Sequence, residues 1–312
     1  MADPMPRRPE ATTATLTTDV FDDPGWIVER KLDGYRCLAF RDGGAVDLES
    51  RNRLSLNARY PEVAAALEED PCRRFVVDGE IVGTVRGKSS FEALQQRAHD
   101  PDVRLAYYVF DVLWLDGRDL REAPLRDRKT ALRDALRFGG GTVRWTPYRR
   151  AAQGHALLAD ACRRGWEGLI AKRLESAYQG RRSREWLKWK CQAQQELVIG
   201  GYTAPKGSRE AFGALLVGYY EGDKLGYAGK VGTGFDQREL RALYERMAPL
   251  ERPDSPFDIG DPPARGTTWV EPEFVVQIAF TEWTRDGFLR HPRYLGLRDD
   301  KPARQVVRER PS

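Results

Sequence analysis

Two apolar stretches of this chain carry acids in their middles, and that combination restricts the possible folds more than any other feature. Phe75 to Val82 reads F-V-V-D-G-E-I-V, and Leu105 to Leu115 reads L-A-Y-Y-V-F-D-V-L-W-L. β-Branched and aromatic runs of this length are strands, and strands this apolar are covered on both faces. Asp78, Glu80 and Asp111 then have two readings. In one, a face of the sheet lines a site that uses the charge; in the other, Asp78 and Glu80 sit on the solvated face of an edge strand. Taken alone, the aromatic stripe around Asp111 is core packing.

Upstream, Trp26 to Arg36 reads W-I-V-E-R-K-L-D-G-Y-R. The apolar Trp26, Ile27 and Val28 deliver Lys31 to a strand end, with Asp33 two residues on and Arg36 five on. An amine held among neighbouring cations and partly removed from water has its pKa lowered from about 10.4 and can act as a nucleophile. The plain alternative is a surface lysine before a hairpin turn at Asp33-Gly34.

The other elements follow in order. Met1 to Thr18 is rich in Pro, Ala and Thr and reads as an extended or poorly ordered lead-in. Cys37 to Arg41 and Ala45 to Ser50 are strands joined at Asp42-Gly43-Gly44, followed by Ser50-Arg51-Asn52-Arg53. Helical spacing covers Tyr60 to Glu69, Arg126 to Leu136 and Gly154 to Arg164, the last closed by Gly165. Glu167 opens a short apolar strand, where a carboxylate can hold a cation or be solvated. A basic loop, Tyr178 to Arg184, leads into Glu185-Trp186-Leu187-Lys188-Trp189-Lys190. Alternation puts Lys188 and Lys190 on one face, about 7 Å apart, which suits an anion.

Past the polar Gln192 to Gln195 come short β runs, Glu196 to Thr203, Ala211 to Tyr220, Lys224 to Val231 and Trp269 to Trp283, with a helix at Asp236 to Leu250. This pattern suits a small barrel of the oligonucleotide-binding (OB) type. A basic tail carries Arg290, His291, Arg293, Arg298, Lys301, Arg304, Arg308 and Arg310.

Composition narrows the classes. At 312 residues and 41% hydrophobic content the chain buries a sizeable core and is expected to form two domains. The net charge is only +4, so any basic surface is local. No apolar run approaches the roughly 20 residues of a membrane span, and the start lacks a signal-peptide core; a cytoplasmic, monomeric protein is expected. Cys37, Cys72, Cys162 and Cys191 form no C-x-x-C pair, which argues against zinc and disulfides and for small buried hydrophobes.

The separate anomalies line up with a family. Lys31-Leu32-Asp33-Gly34-Tyr35-Arg36 matches K-x-D-G-x-R, and Asp78-Gly79-Glu80-Ile81, Tyr108 to Leu113, Glu167 to Lys172, Trp186 to Lys190 and Arg298-Asp299-Asp300-Lys301 follow in order. This series resembles the ATP-dependent DNA ligases, and Phe288 to Lys301 resembles the ligase module of bacterial LigD-type end-joining enzymes in particular. The resemblance implies an α+β fold. An adenylation (nucleotidyltransferase) domain, residues 19–192 after the 1–18 lead-in, has antiparallel sheets flanked by helices, and an OB-fold domain with the basic tail spans 193–312.

It also implies roles. Lys31 is the nucleophile that takes AMP from ATP, with Asp33 assisting it, contacting the 3′-hydroxyl side of the nick or fixing the turn. Lys188 and Lys190 bind phosphate; Glu29 recognises adenine and Phe110 stacks on it. Arg36 and Arg51 contact the nucleotide, Glu80 the ribose or the metal, and Glu167 a Mg²⁺ or Mn²⁺ ion. Arg298 and Lys301 orient pyrophosphate. Tyr107, Val109 and Trp114 remain packing residues. The implied partners are nicked duplex DNA, a Ku-like end-binding protein and a repair polymerase. An RNA ligase, a capping enzyme and a non-catalytic OB-type binder of single strands stay open as alternatives.

Overall fold

The computed structural model describes all residues except 1, 8, 86–87, 91–92, 95–96, 98–99, 101, 140, 192, 206–210, 285 and 310–312, and except the side chains of 88–90. Gln192 and Arg310, which figure in the boundary and the tail above, lie outside the described residues. The chain divides after Cys191 into two compact units.

The first unit holds two sheets. Strands Val46–Ser50, Tyr35–Asp42, Arg74–Val85, Arg104–Leu115 and Arg118–Asp119 run in that order through a seven-stranded sheet, with Lys88–Ser90 and Val143–Trp145 added to Arg74–Val85 and Arg104–Leu115. One face packs on helices Pro61–Glu68 and Leu125–Ala135 through Val63, Leu67, Phe75, Val77, Tyr107, Val109 and Leu132. The other face carries Val76, Phe110, Leu113 and Trp114, which cluster with Tyr178 and Trp186 of the second sheet's segment. Tyr107, Val109 and Trp114 are indeed core, all fully buried. Arg74–Val85 lies between two long neighbours, so the edge-strand reading of Asp78 fails: Asp78 and Asp111 are paired in register and have no exposed surface.

The five-stranded sheet has the order Thr13–Leu16, Arg182–Lys190, Gly168–Arg173, Asp23–Arg30, Tyr148–Ala151. Its far face packs on helix Gly154–Arg163 through Val28, Leu169, Ala171, Trp189 and Ala161. Two expectations are corrected here. Thr13–Leu16 is a strand, parallel to Arg182–Lys190, because Thr13, Ala14 and Thr15 complete an edge that would otherwise be open. The basic loop before Trp186 is correspondingly shorter, since Arg182 already pairs with Thr13.

In the second unit, Lys224–Val231, Leu215–Glu221 and Ala193–Thr203 lie side by side, and Ala193–Thr203 pairs on its other edge with both Thr267–Val270 and Val275–Phe280. The run expected from Trp269 to Trp283 is split at Glu271–Phe274, where Pro272 cannot donate to a ladder. Helix Gln237–Met247 starts on a capping box between Asp236 and Glu239. The basic tail is corrected too: Arg293–Arg298 is a strand paired with Val275–Phe280. Its Tyr294 and Leu297 both join the core although they are three residues apart, because an extra residue, Leu295, is bulged out of the ladder with Val275–Phe280.

Disulfide chemistry was not expected, yet Cys162 and Cys191 are bonded to each other. Helix Gly154–Arg163 packs on the sheet that ends at Lys190, so residues far apart in sequence meet. Cys37 is buried as expected and Cys72 is half-buried.

Candidate active site

The stretch Lys31–Gly34 does not turn a hairpin. It carries the chain from Asp23–Arg30 of the five-stranded sheet to Tyr35–Asp42 of the seven-stranded one. Gly34 is required because a Cβ there would stand 2.1 Å from the carbonyl oxygen of Ile81. Lys31 therefore sits where the two sheets meet.

Register then aligns residues that are far apart in sequence. The Lys31 amide donates to the Gly168 carbonyl (3.0 Å), and Gly168 pairs with Lys190. One step along, Glu29 pairs with Ile170 and Ile170 with Lys188; a further step aligns Ile27, Lys172 and Trp186. Strand alternation places Glu29, Lys31, Ile170, Lys172, Trp186, Lys188 and Lys190 on one face, the face that meets Phe110.

The surroundings of Lys31 differ from those expected. Its ammonium is paired with Glu167, and the charges acting on it are carboxylates. Burial alone would push the amine down, but Glu167, Asp33 and Glu80 outweigh it and hold the amine above its ordinary value. Glu80 accepts from the Gly34 amide at 3.1 Å, so it faces the same crossover.

Deeper in, Glu29 lies between Lys129, paired with its Oε1, and Lys172, 2.7 Å from its Oε2. All three side chains are 2 or 3% exposed. The Lys172 ammonium lies 4.2 Å from the Phe110 ring centre and 3.9 Å from that of Trp186, and burial brings it down to about 8 against the pull of Glu29. Arg36 lies over the same Phe110 ring at 4.5 Å and binds Asp78 through two hydrogen bonds of 2.5 and 2.6 Å. Tyr178 also donates to Asp78, at 2.6 Å. Asp111 receives two bonds from Arg128, at 2.8 and 2.9 Å. Asp78 and Asp111 thus hold arginines rather than substrate, whereas Glu80 faces the crossover at Gly34.

The structure brings together Lys31, Glu167, Asp33 and Glu80, and likewise Glu29, Arg36 and Phe110, with Lys188 and Lys190 on the same sheet face. Arg51 stands exposed in the turn after Val46–Ser50 and makes none of these contacts. Arg298 and Lys301 belong to the second unit, where both meet Glu196 and Arg298 also binds Asp300 at 2.9 Å. Sequence reasoning missed Lys129, Lys172, Arg128 and Tyr178. Lys172 closes a stretch already singled out, and its period-2 spacing from Gly168 and Ile170 was the available signal; Lys129 looks like any other helix lysine.

A lysine at the junction of two facing sheets, with an aromatic platform opposite and lysines in the adjoining strands, is the arrangement of a nucleotidyltransferase domain, and the second unit is an OB-fold. Sequence models of the ATP dependent DNA ligase domain and of the ATP dependent DNA ligase C terminal region match residues 10–190 and 208–301; the chain belongs to the ATP-dependent DNA ligase family. Among its relatives is the multifunctional non-homologous end joining protein LigD of Pseudomonas aeruginosa, 41% identical over 303 residues, covering 92% of this chain and 35% of that protein. LigD of Mycobacterium tuberculosis is 41% identical over 289 residues, 91% of this chain and 37% of that one. The chain thus spans little more than a third of the length of these relatives. A solved structure of mycobacterial DNA ligase D complexed with ATP and MES superimposes with a TM-score of 0.64 at 38% identity, over 95% of this chain and 98% of that one.

ATP and a divalent cation go with this family. Among the described residues no cluster of three or more His, Cys, Asp or Glu is built to hold a metal alone. Two carboxylates, Glu167 and Glu80, converge on Lys31, and hard oxygen donors in that number fit an ion that completes its shell with phosphate oxygens and water.

Proposed function

We infer that the chain seals nicks between a 3′-hydroxyl and a 5′-phosphate in duplex DNA, and that it does so in end joining alongside a Ku-like end-binding protein and a repair polymerase. One observation carries the chemistry: Lys31 shares a sheet face with Glu29, Lys188 and Lys190, opposite Phe110.

Adenine stacks on Phe110 with its exocyclic amine toward Glu29. Lys188 and Lys190 take the phosphates, and Arg36 and Arg51 contact the nucleotide. Lys31 Nζ, having released one proton to solvent, attacks the α-phosphorus; an N–P bond forms, the P–O bond to pyrophosphate breaks, and a second proton leaves to solvent, so that the phosphoramidate nitrogen keeps one N–H. Arg298 and Lys301 orient the departing pyrophosphate. AMP then passes from Lys31 to the 5′-phosphate, and the 3′-hydroxyl displaces AMP to form the phosphodiester. Each step loads charge onto phosphate oxygens, which fixed cations stabilise. Asp33, which helps keep the resting Lys31 ammonium charged, contacts the 3′-hydroxyl side of the nick.

The carboxylates that now hold Lys31 protonated must be engaged elsewhere before it attacks. Glu167 and Glu80 would be engaged in this way by a bound Mg²⁺ or Mn²⁺, which would also supply positive charge toward the phosphate. Incubation with ATP labelled at the α-phosphate tests the reading. A labelled adduct on the wild type and none on Lys31→Ala is expected; no adduct on the wild type, or an undiminished one on the variant, refutes it.

A further inference from the structure

Lys129 is a buried cation of the first unit that the chemistry above does not use. It comes from helix Leu125–Ala135, which packs on the outer face of the seven-stranded sheet, yet its ammonium reaches Glu29 in the other sheet. Burying a lysine costs far more than leaving it in water unless it is paired, and a structural helix could use a leucine at that place. The ammonium is further fixed by the rings of Trp145 and Tyr148, at 5.0 and 5.4 Å from their centres.

The geometry assigns Lys129 as the residue that positions Glu29 to select a 6-amino purine over a 6-oxo purine. The proposal rests on Glu29 facing the base. Lys172 touches both the Glu29 carboxylate and the Phe110 ring, so the carboxylate stands at the rim of the stacking platform. With Lys172 on one oxygen and Lys129 on the other, the group cannot rotate and remains an acceptor only. An acceptor fixed at the 6-position of a stacked purine takes a hydrogen bond from an amino group and repels an oxo group. Released from Lys129, with Lys172 holding only one oxygen, the other oxygen no longer has a fixed direction, and the advantage of an amino donor over an oxo group shrinks. A site built to pair one partner rejects its counterpart because the mismatch leaves buried polar atoms unpaired.

The test uses the full chain and the labelled-adduct assay with α-labelled ATP and inosine triphosphate, which differ at the base. Lys129→Met is expected to lose at least about tenfold of the ATP-over-inosine preference in kcat/KM, in the range set by one hydrogen bond to a charged group. Lys129→Arg keeps the charge and retains most of the preference. A merely structural residue would instead lower kcat/KM for both nucleotides alike and leave their ratio unchanged. An unchanged preference in Lys129→Met, or an equal loss with Lys129→Arg, overturns the assignment. Should Lys129→Met fail to fold, the wild type still decides: acceptance of inosine triphosphate within twofold of ATP refutes it. Absence of any adduct on wild type with ATP would instead refute the ligase chemistry itself.

Discussion

Removing Arg128 tests the claim that the acids in apolar strands serve the architecture. Arg128 and Asp111 are both without exposed surface, joined by bonds of 2.8 and 2.9 Å, and Arg128 also donates to the carbonyls of Ala123 (2.6 Å) and Ser176 (2.8 Å). Arg128→Met keeps the aliphatic bulk but leaves one buried carboxylate and two carbonyls without that partner. Breaking a buried pair in this way costs about 3–5 kcal/mol, equivalent to a Tm lowered by roughly 6–20 °C for a unit of this size. The pH dependence gives a second handle. In the wild type, burial pushes Asp111 up but Arg128 outweighs it and holds it below the usual carboxylate range, so its contribution is present above its unfolded pKa and fades as pH falls through the folded one. Without Arg128 burial prevails and the pKa rises, so the variant regains stability as the acid becomes neutral on going from pH 7 toward 5. Calorimetric melts of both proteins at pH 7 and pH 5 measure this. A deficit under 1 kcal/mol, or one that does not shrink at the lower pH, would show that the pair carries no structural load.

Two further outcomes follow from the site and its surroundings. Because carboxylates hold Lys31 above its ordinary value, its ammonium stabilises the nucleotide-free fold below about pH 10.5 and ceases to do so as pH rises through the folded pKa. The rate of Lys31 acylation by an amine reagent, read by mass spectrometry without ATP or metal, should reach half its plateau at a higher pH than for an exposed lysine, and at a lower pH in Glu167→Gln than in the wild type; a wild-type midpoint below that of an exposed lysine contradicts this. Reducing the Cys162–Cys191 bond, which closes a 29-residue separation, should cost the first unit about 3–4 kcal/mol by loop entropy, and identical urea midpoints with and without reductant would contradict that.

The legible parts of the structure were those where local pattern and chemistry agree. Phe75 to Val82 and Leu105 to Leu115 announced strands by composition and a special face by their acids, and both are central strands. What the acids do was not legible, because Asp78 and Asp111 find their arginines, Arg36 and Arg128, through sheet pairing and a helix no pattern assigns to them. Asp33-Gly34 misled for a related reason: a pair that usually closes a hairpin here lets the chain change sheets, since the glycine answers to Ile81 rather than to a turn. The electrostatics of Lys31 also failed from sequence, because the nearest charge, Glu167, is a spatial neighbour only. In the second unit, Arg293–Arg298 read as a tail because the bulge at Leu295 breaks the period-2 pattern that would have marked a strand.

The alignment of Lys31 with Gly168 and Lys190 on neighbouring strands also sets a schedule. During synthesis at about 5–20 residues per second, the Lys31 segment waits roughly 8–30 s for the strands that flank it. Until Arg182–Lys190 emerges, the strand after Lys31's own neighbour is missing and Thr13–Leu16 has nothing to pair with. The sheet face that carries Lys31 and Lys190 is therefore completed only late in synthesis, and a ribosome-bound chain ending before Lys190 should take up no AMP.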